Sequence, residues 1–308
     1  MFTSMVTYNE RYRYWELEGG IRLGRYYAEV IGSGSPVLFL PAGGFTGEEG
    51  RSLAESLRND FEVHLLDLPG FGRSEGIEQI VSSEQLADWI YGYVVTHRLG
   101  PVHVIAHSLG GAVGLAFATH YPEQVERLVL LDQGHKAFPR VPLKEYGVFG
   151  LTVPLLSGLY RLMGPRIIER MERKIVSDEP TQSISDERFQ TFCAKTGLSE
   201  RDEIRRVLDA PAKLGRGGLN LLFGFYHLDV PQLMRTLQVP TLLFYGDFVG
   251  LDDKEARLTG AAISNLQRHE LPITYIQMTG GHFVHWNPAF PIEQVRQFLQ
   301  PEKASGLS

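Results

Sequence analysis

Residues 102–111 read V-H-V-I-A-H-S-L-G-G, and this stretch decides how the chain is read. Val102 to Ala106 form a short apolar run typical of a buried strand. A turn of small residues surrounds Ser108, and a helical pattern follows over 110–120. A strand that turns sharply into a helix lifts the residue at the turn clear of the sheet. That suits serine, whose hydroxyl is a poor nucleophile at its own pKa. It needs exposure, a base within reach and donors for the oxyanion that forms. Ala106 and Gly110, two places before and after the serine, are small enough for so tight a turn. The backbone N–H of Leu109 lies at the helix start, where the dipole favours negative charge. Gly111 and Gly114 let the helix cross close to the sheet.

Working outward, further short apolar strands fall at Val37–Leu40, Glu62–Leu66, Leu128–Leu131, Thr241–Tyr245 and Ile273–Gln277. Helical patterns lie between them at 47–58, 83–98, 253–268 and 290–300. Near-continuous apolar strands alternating with helices predict an α/β fold with a mostly parallel, doubly wound sheet buried on both faces. Tyr12–Leu17 and Ile21–Val30, separated by Gly19-Gly20, read as a hairpin, and Gly32–Pro36 as a turn. The alternation breaks from Gly134 to Thr236. There, apolar helical stretches at 147–163, 185–195 and 217–227 are interrupted by Pro142, Pro154, Pro165 and Pro180. The division expected is therefore a core of residues 1–133 and 237–308 with a helical cap inserted at 134–236; a second autonomous domain is the alternative.

The elbow is similar to the G-x-S-x-G of the α/β-hydrolase family, with Ala106 in place of the first glycine, and the resemblance extends over nearly the whole chain. D-L-P-G-F-G-R-S at 67–74 resembles the loop after the family's fourth strand. P-A-G-G-F at 41–45 stands where the family has H-G-x, which implies that the N–H of Gly43, or of neighbouring Gly44, is the second oxyanion donor beside Leu109. T-G-G-H-F-V-H-W-N-P at 279–288 resembles the family's final histidine loop and implies His282 as the base, with His285 as the fallback. A neutral imidazole can take the serine proton and return it to the leaving group. The acid departs from the pattern, because the usual place after Gly246 is occupied by Val249. Asp132, ending the strand R-L-V-L-L-D at 127–132, is the favoured carboxylate. Asp252, Asp247 and a site without an acid remain open.

The resemblance implies a cofactor-free serine hydrolase that cleaves a carboxylic ester, lactone or thioester of an apolar small molecule through an acyl-enzyme. A C–C bond hydrolase, an acyltransferase and a ligand sensor on the same fold remain alternatives. Haloalkane dehalogenases and epoxide hydrolases need a carboxylate where Ser108 stands. His282 and His285 lack a third metal ligand in the sequence pattern, so no metal is expected.

Composition narrows the field further. The net charge of −6 over 308 residues, with charges of both signs interspersed at 169–174 and 200–206, disfavours nucleic acid as a partner. The uncharged, apolar stretch at 146–160 is too short to span a membrane. A single cysteine, Cys193, forbids an internal disulfide and fits a reducing, cytoplasmic setting. Tyr146, Phe149, Leu155, Leu159, Tyr160, Met163, Leu222, Phe223 and Phe225 give the inserted segment an apolar character, as cap core or as substrate lining. Oligomeric state is not legible.

Overall fold

The computed structural model describes residues 25–138 and 183–300 continuously, with residues 15, 16, 22, 23, 151, 154, 155, 158, 159, 170 and 172 besides. Seven strands form its main sheet: β3 (Ala28–Gly32), β4 (Ser35–Leu40), β5 (Phe61–Leu66), β6 (Val102–His107), β7 (Val125–Leu131), β8 (Thr241–Gly246) and β9 (Ile273–Met278). Their spatial order is β3-β5-β4-β6-β7-β8-β9. All neighbours are parallel except β3, which pairs antiparallel with β5. Of the N-terminal hairpin, four residues are described. β1 (Trp15–Glu16) pairs antiparallel with β2 (Arg22–Leu23), and the run expected at Ile21–Val30 is split, its second half becoming β3 of the large sheet.

The apolar strands are continuous because both faces of the sheet are covered. One face packs Leu38, Leu40, Val104, Ala106, Leu128 and Leu130 against α2 (Ser83–His97) and α3 (Ser108–His120). The other packs Val37, Phe39, Val63, Ile105, Val129 and Phe244 against α1 (Arg51–Leu57) and the C-terminal helix Ile292–Leu299. Helix α3 is buried without a break from Leu109 to Ala118. A helix apolar on all sides belongs in the core, and this one fixes the turn at Ser108 to the sheet. Helix α2 starts at a capping box, Ser82 with Gln85, and ends at Arg98 in the left-handed region.

The chain leaves β5 on one side of β4 and returns as β6 on the other. Outside the carboxyl ends of β4 and β6 there is thus a switch point, where open parallel sheets place their ligands. Between β7 and β8 the described residues contain helices and no strand: Asp186–Thr196, Asp202–Asp209, Gly218–His227 and Val230–Arg235. The stretch at 147–163, with Tyr146, Phe149, Tyr160 and Met163, falls largely or wholly outside the described residues. Phe223 and Phe225 are buried, and Phe225 packs on Phe138 at 4.7 Å between ring centroids, so these two rings belong to the packing. Leu155 is exposed.

Candidate functional site

Register brings the strand ends together: Leu40 is level with Ala106, His107 with Leu131, Leu131 with Phe244, and Gly246 with Met278. The segments beginning at Pro41, Ser108, Asp132, Asp247 and Thr279 therefore emerge side by side at one edge.

Ser108 opens α3 with φ = 49°, in the left-handed region that a non-glycine residue rarely occupies. Such a backbone costs about 1–3 kcal/mol and persists only where its surroundings hold it. They do so here. Gln133 Nε2 donates to the Ser108 carbonyl at 2.8 Å, and the Gly110 N–H donates to the Pro41 carbonyl at 3.0 Å. The approach at Gly110 leaves no room for a side chain. A Cβ there would lie 2.3 Å from the Leu40 carbonyl oxygen and 2.4 Å from that of Pro41. Gly43 stands directly against Leu109; a Cβ on it would meet Leu109 Cδ2 at 3.1 Å. The loop at 41–45 and the first turn of α3 are thus in contact. Leu109 carries one of the first-turn amides that have no acceptor within the helix.

Asp132 is 4 % exposed and also has φ = 49°. Its N–H donates to the Phe244 carbonyl at 2.7 Å, and its Oδ1 accepts the Gly246 N–H at 3.1 Å. With its backbone so fixed, its Oδ2 meets His282 Nδ1 at 2.6 Å. Burial alone would raise the Asp132 carboxyl. The hydrogen bond and charge of His282, with His135 and Lys136, outweigh burial and hold it at about 2. The contact also settles the tautomer: a carboxylate that accepts at Nδ1 leaves Nε2 of neutral His282 as the acceptor. No hydrogen bond joins the Ser108 hydroxyl to His282 among the described residues. Such contacts commonly tighten only once substrate is bound.

The other carboxylates serve the backbone. Asp247 Oδ1 accepts from Val249 and Gly280, tying the loops after β8 and β9 together. Asp252 caps the helix Asp253–Leu266 through the Glu255 N–H. Val249 is 70 % exposed. His285 is buried and away from Asp132, its Nε2 3.6 Å from Glu49.

Several residues at the site have no signal in the sequence pattern. Gln133 reads as one more polar loop residue. Glu49 is indistinguishable in G-E-E-G from Glu48, yet Glu48 pairs with Arg51 while Glu49 is buried. An aromatic wall also forms beside His282. Phe283 stacks on Trp286 at 4.8 Å and meets Phe45 at 5.8 Å and Phe192 at 5.3 Å. It joins the loop at 41–45, the loop after β9 and the helix Asp186–Thr196. The neighbouring Cys193 is buried in the same packing cluster.

Several buried histidines predict an acid-sensitive fold. Burial lowers His103 and His135 to about 4, and lowers His64 and His285 as well. An unfolded chain protonates such groups near ~6.5. Where the unfolded state binds more protons, stability rises with pH and falls as the solution is acidified. The contribution is therefore complete above that value and lost as pH drops toward about 4. Asp67, raised by burial, works in the opposite sense but is one group against four. The thermal midpoint is expected to fall between pH 7 and 4.5; a level midpoint across that range would contradict this.

The model of the Alpha/beta hydrolase family matches residues 37–294. A 2-hydroxy-6-oxononadienedioate/2-hydroxy-6-oxononatrienedioate hydrolase of Pseudomonas putida is 28 % identical, covering 92 % of this chain and 94 % of its own. A pimeloyl-[acyl-carrier protein] methyl ester esterase of Vibrio cholerae is 24 % identical over 73 % of this chain and 80 % of its own. Among solved structures, a thermophilic esterase from Thermogutta terrifontis superposes with a TM-score of 0.62 at 21 % identity, covering 94 % and 98 % of the two chains. An enol-lactonase from Burkholderia xenovorans gives 0.60 at 17 %, covering 93 % and 99 %. No helix among the described residues is long and apolar enough to cross a membrane.

Proposed function

Since the chain belongs to the alpha/beta hydrolase family, we propose that it is a cofactor-free serine hydrolase cleaving a carboxylic ester, lactone or thioester of an apolar small molecule. The observation that carries this reading is the 2.6 Å contact of Asp132 with His282 at the strand ends beside Ser108. In the mechanism, His282 Nε2 takes the Ser108 proton as the oxygen attacks the carbonyl carbon. The Gly43 and Leu109 N–H groups hold the oxyanion. The tetrahedral intermediate collapses, the leaving alcohol takes the proton from His282, and the acyl group stays on Ser108. Water, deprotonated by His282, attacks the acyl carbon; as the bond to Ser108 breaks, His282 returns that proton to the serine oxygen and the carboxylic acid leaves. Asp132 keeps the imidazole in the acting tautomer and offsets the charge of the imidazolium.

The aromatic wall of Phe45, Phe283 and Phe192 supports an apolar acyl or leaving group. We take residues 134–236 as the cap over this edge; the unbroken run of helices among its described residues supports that division. The lone, buried Cys193 supports a cytoplasmic setting.

A second reading rests on the Pseudomonas putida relative. The substrate in its name carries an oxo group and carboxylates but no ester, so its hydrolysis must break a C–C bond beside a carbonyl. The same serine attack serves both reactions. Steady-state turnover on p-nitrophenyl esters of graded chain length, on lactones and on a 2-hydroxy-6-oxo-dienoate separates them. The ester reading expects the highest kcat/KM on an apolar ester or lactone. Preference for the dienoate by more than tenfold would favour C–C cleavage. Stoichiometric binding without turnover on any of them would make the protein a sensor.

A further inference from the structure

Behind the site lies a second set of polar side chains that the mechanism above does not use. Glu49 is 1 % exposed and His107 is fully buried. Glu49 Oε2 accepts the Ala42 N–H at 2.6 Å, and Glu49 Oε1 meets His107 Nδ1 at 2.6 Å. The other ring nitrogen of His107, Nε2, lies 3.0 Å from the backbone carbonyl of His282. A carbonyl can only accept, so Nε2 carries a proton. Nδ1 and the carboxylate then share one more.

We propose that Glu49 and His107 are a positioning pair that sets the oxyanion loop and the histidine loop relative to Ser108. The inference rests on the serine-hydrolase reading above. Its basis is what the pair touches. Ala42 immediately precedes Gly43, so fixing its N–H aims the next amide in the loop. His107 immediately precedes Ser108, so the ring is anchored to the elbow. The His282 carbonyl belongs to the residue whose imidazole must reach the serine, and the His107 and His282 rings lie 4.6 Å apart. Glu49 and His107 together thus tie three separate segments: the loop after β4, the end of β6 and the loop after β9. His285, whose Nε2 is 3.6 Å from Glu49 Oε1, is a second buried imidazole at the same point, and its ring nitrogens have no hydrogen-bond partner among the described residues.

The three groups could instead hold a metal ion, since their ligand atoms lie within 4.8 Å of one another. Against that, both carboxylate oxygens of Glu49 and both ring nitrogens of His107 are already spent on hydrogen bonds.

The test compares three variants by kcat, KM and second-order phosphonylation rate on an activated ester and a p-nitrophenyl phosphonate, each normalised to titrated active sites. Glu49→Ala is expected to lower kcat per site and the phosphonylation rate together by about 10²-fold, the scale of an ångström's misplacement, with KM changed less than about threefold. Glu49→Gln should recover to within about tenfold of the parent. Its amide oxygen can accept from Ala42, and its NH₂ can donate to neutral His107. The double variant Glu49→Leu/His107→Met replaces the pair with apolar volume and should fold, because swapping both partners removes the unpaired charge. It should nonetheless show the same loss as Glu49→Ala. Parent-like kcat per titrated site in that double variant would overturn the proposal, as would Glu49→Gln being as impaired as Glu49→Ala. Stoichiometric zinc on the purified parent, lost in Glu49→Ala, would overturn it in favour of a metal site. A parent that phosphonate does not label at Ser108 would bring down the serine reading and this proposal with it. Labelling at Ser108 with unchanged variants would bring down this proposal alone.

Discussion

Ser108→Ala is expected to fold as the parent does and to lose hydrolysis by several orders of magnitude, ~10⁶ being the scale for removal of such a nucleophile. Stability should be preserved for a local reason. The restraints on the elbow act through backbone groups: the Gln133 side chain on the Ser108 carbonyl, and the Gly110 N–H on the Pro41 carbonyl. Neither needs the hydroxyl. The φ of 49° stays equally strained with alanine, so the thermal midpoint should move little. The loss should appear in kcat on every substrate the parent accepts, because attack by the serine oxygen is common to ester and C–C cleavage. Variant activity within tenfold of the parent would remove Ser108 from the mechanism.

The second large effect is expected at Asp132. Asp132→Asn keeps the shape of the side chain, and the amide oxygen can still accept the Gly246 N–H. Its NH₂ would then face His282 Nδ1. A donor there favours the tautomer with the proton on Nε2, which cannot accept from serine. A fall in kcat of roughly 10⁴ is expected, as for other triads given the wrong tautomer. The hydrogen bond and charge of His282 hold the parent carboxyl well below the usual carboxylate range. The acid limb of kcat/KM therefore does not report Asp132. Asp247→Asn and Asp252→Asn should each cost less than about tenfold in kcat, since they hold backbone amides and helix ends. An Asp247 or Asp252 variant more impaired than Asp132→Asn would move the acid elsewhere.

These roles also explain how far the sequence could be read. The parallel strands β4 to β8 are legible because they are buried on both faces, and continuous apolar runs bounded by turns can hardly be anything else. β9, at the sheet edge, is half-exposed, and its apolar run Ile273–Gln277 is legible as the last strand of the alternation. The elbow is legible because steric demand fixes residue sizes around Ser108. The acid is only partly so: Asp132 is the favoured carboxylate, but Asp247 also lies directly past a strand end and Asp252 a few residues beyond, so the pattern leaves both open. Which of them turns toward His282 depends on the left-handed backbone at Asp132 and on its bond to Phe244, features no local pattern records. Glu49 shows the limit most plainly. Two adjacent glutamates in one turn have opposite fates, one paired on the surface with Arg51 and one sealed under the site, and only the packing of the turn onto β4 and β6 separates them. The helix Val230–Arg235 has no counterpart among the expected helical stretches; its Pro231 sits in the first turn, where proline fits.

The central claim is that Ser108 becomes covalently bonded to the substrate's carbonyl carbon. The most direct measurement is stoichiometric reaction with a p-nitrophenyl phosphonate, followed by intact-mass and peptide analysis. The account predicts one adduct per chain, on the peptide containing Ser108, released p-nitrophenol equal to adduct, and labelling slowed by several orders of magnitude in His282→Ala. An adduct on another residue, or full turnover of an ester by protein that phosphonate leaves unlabelled, would contradict it.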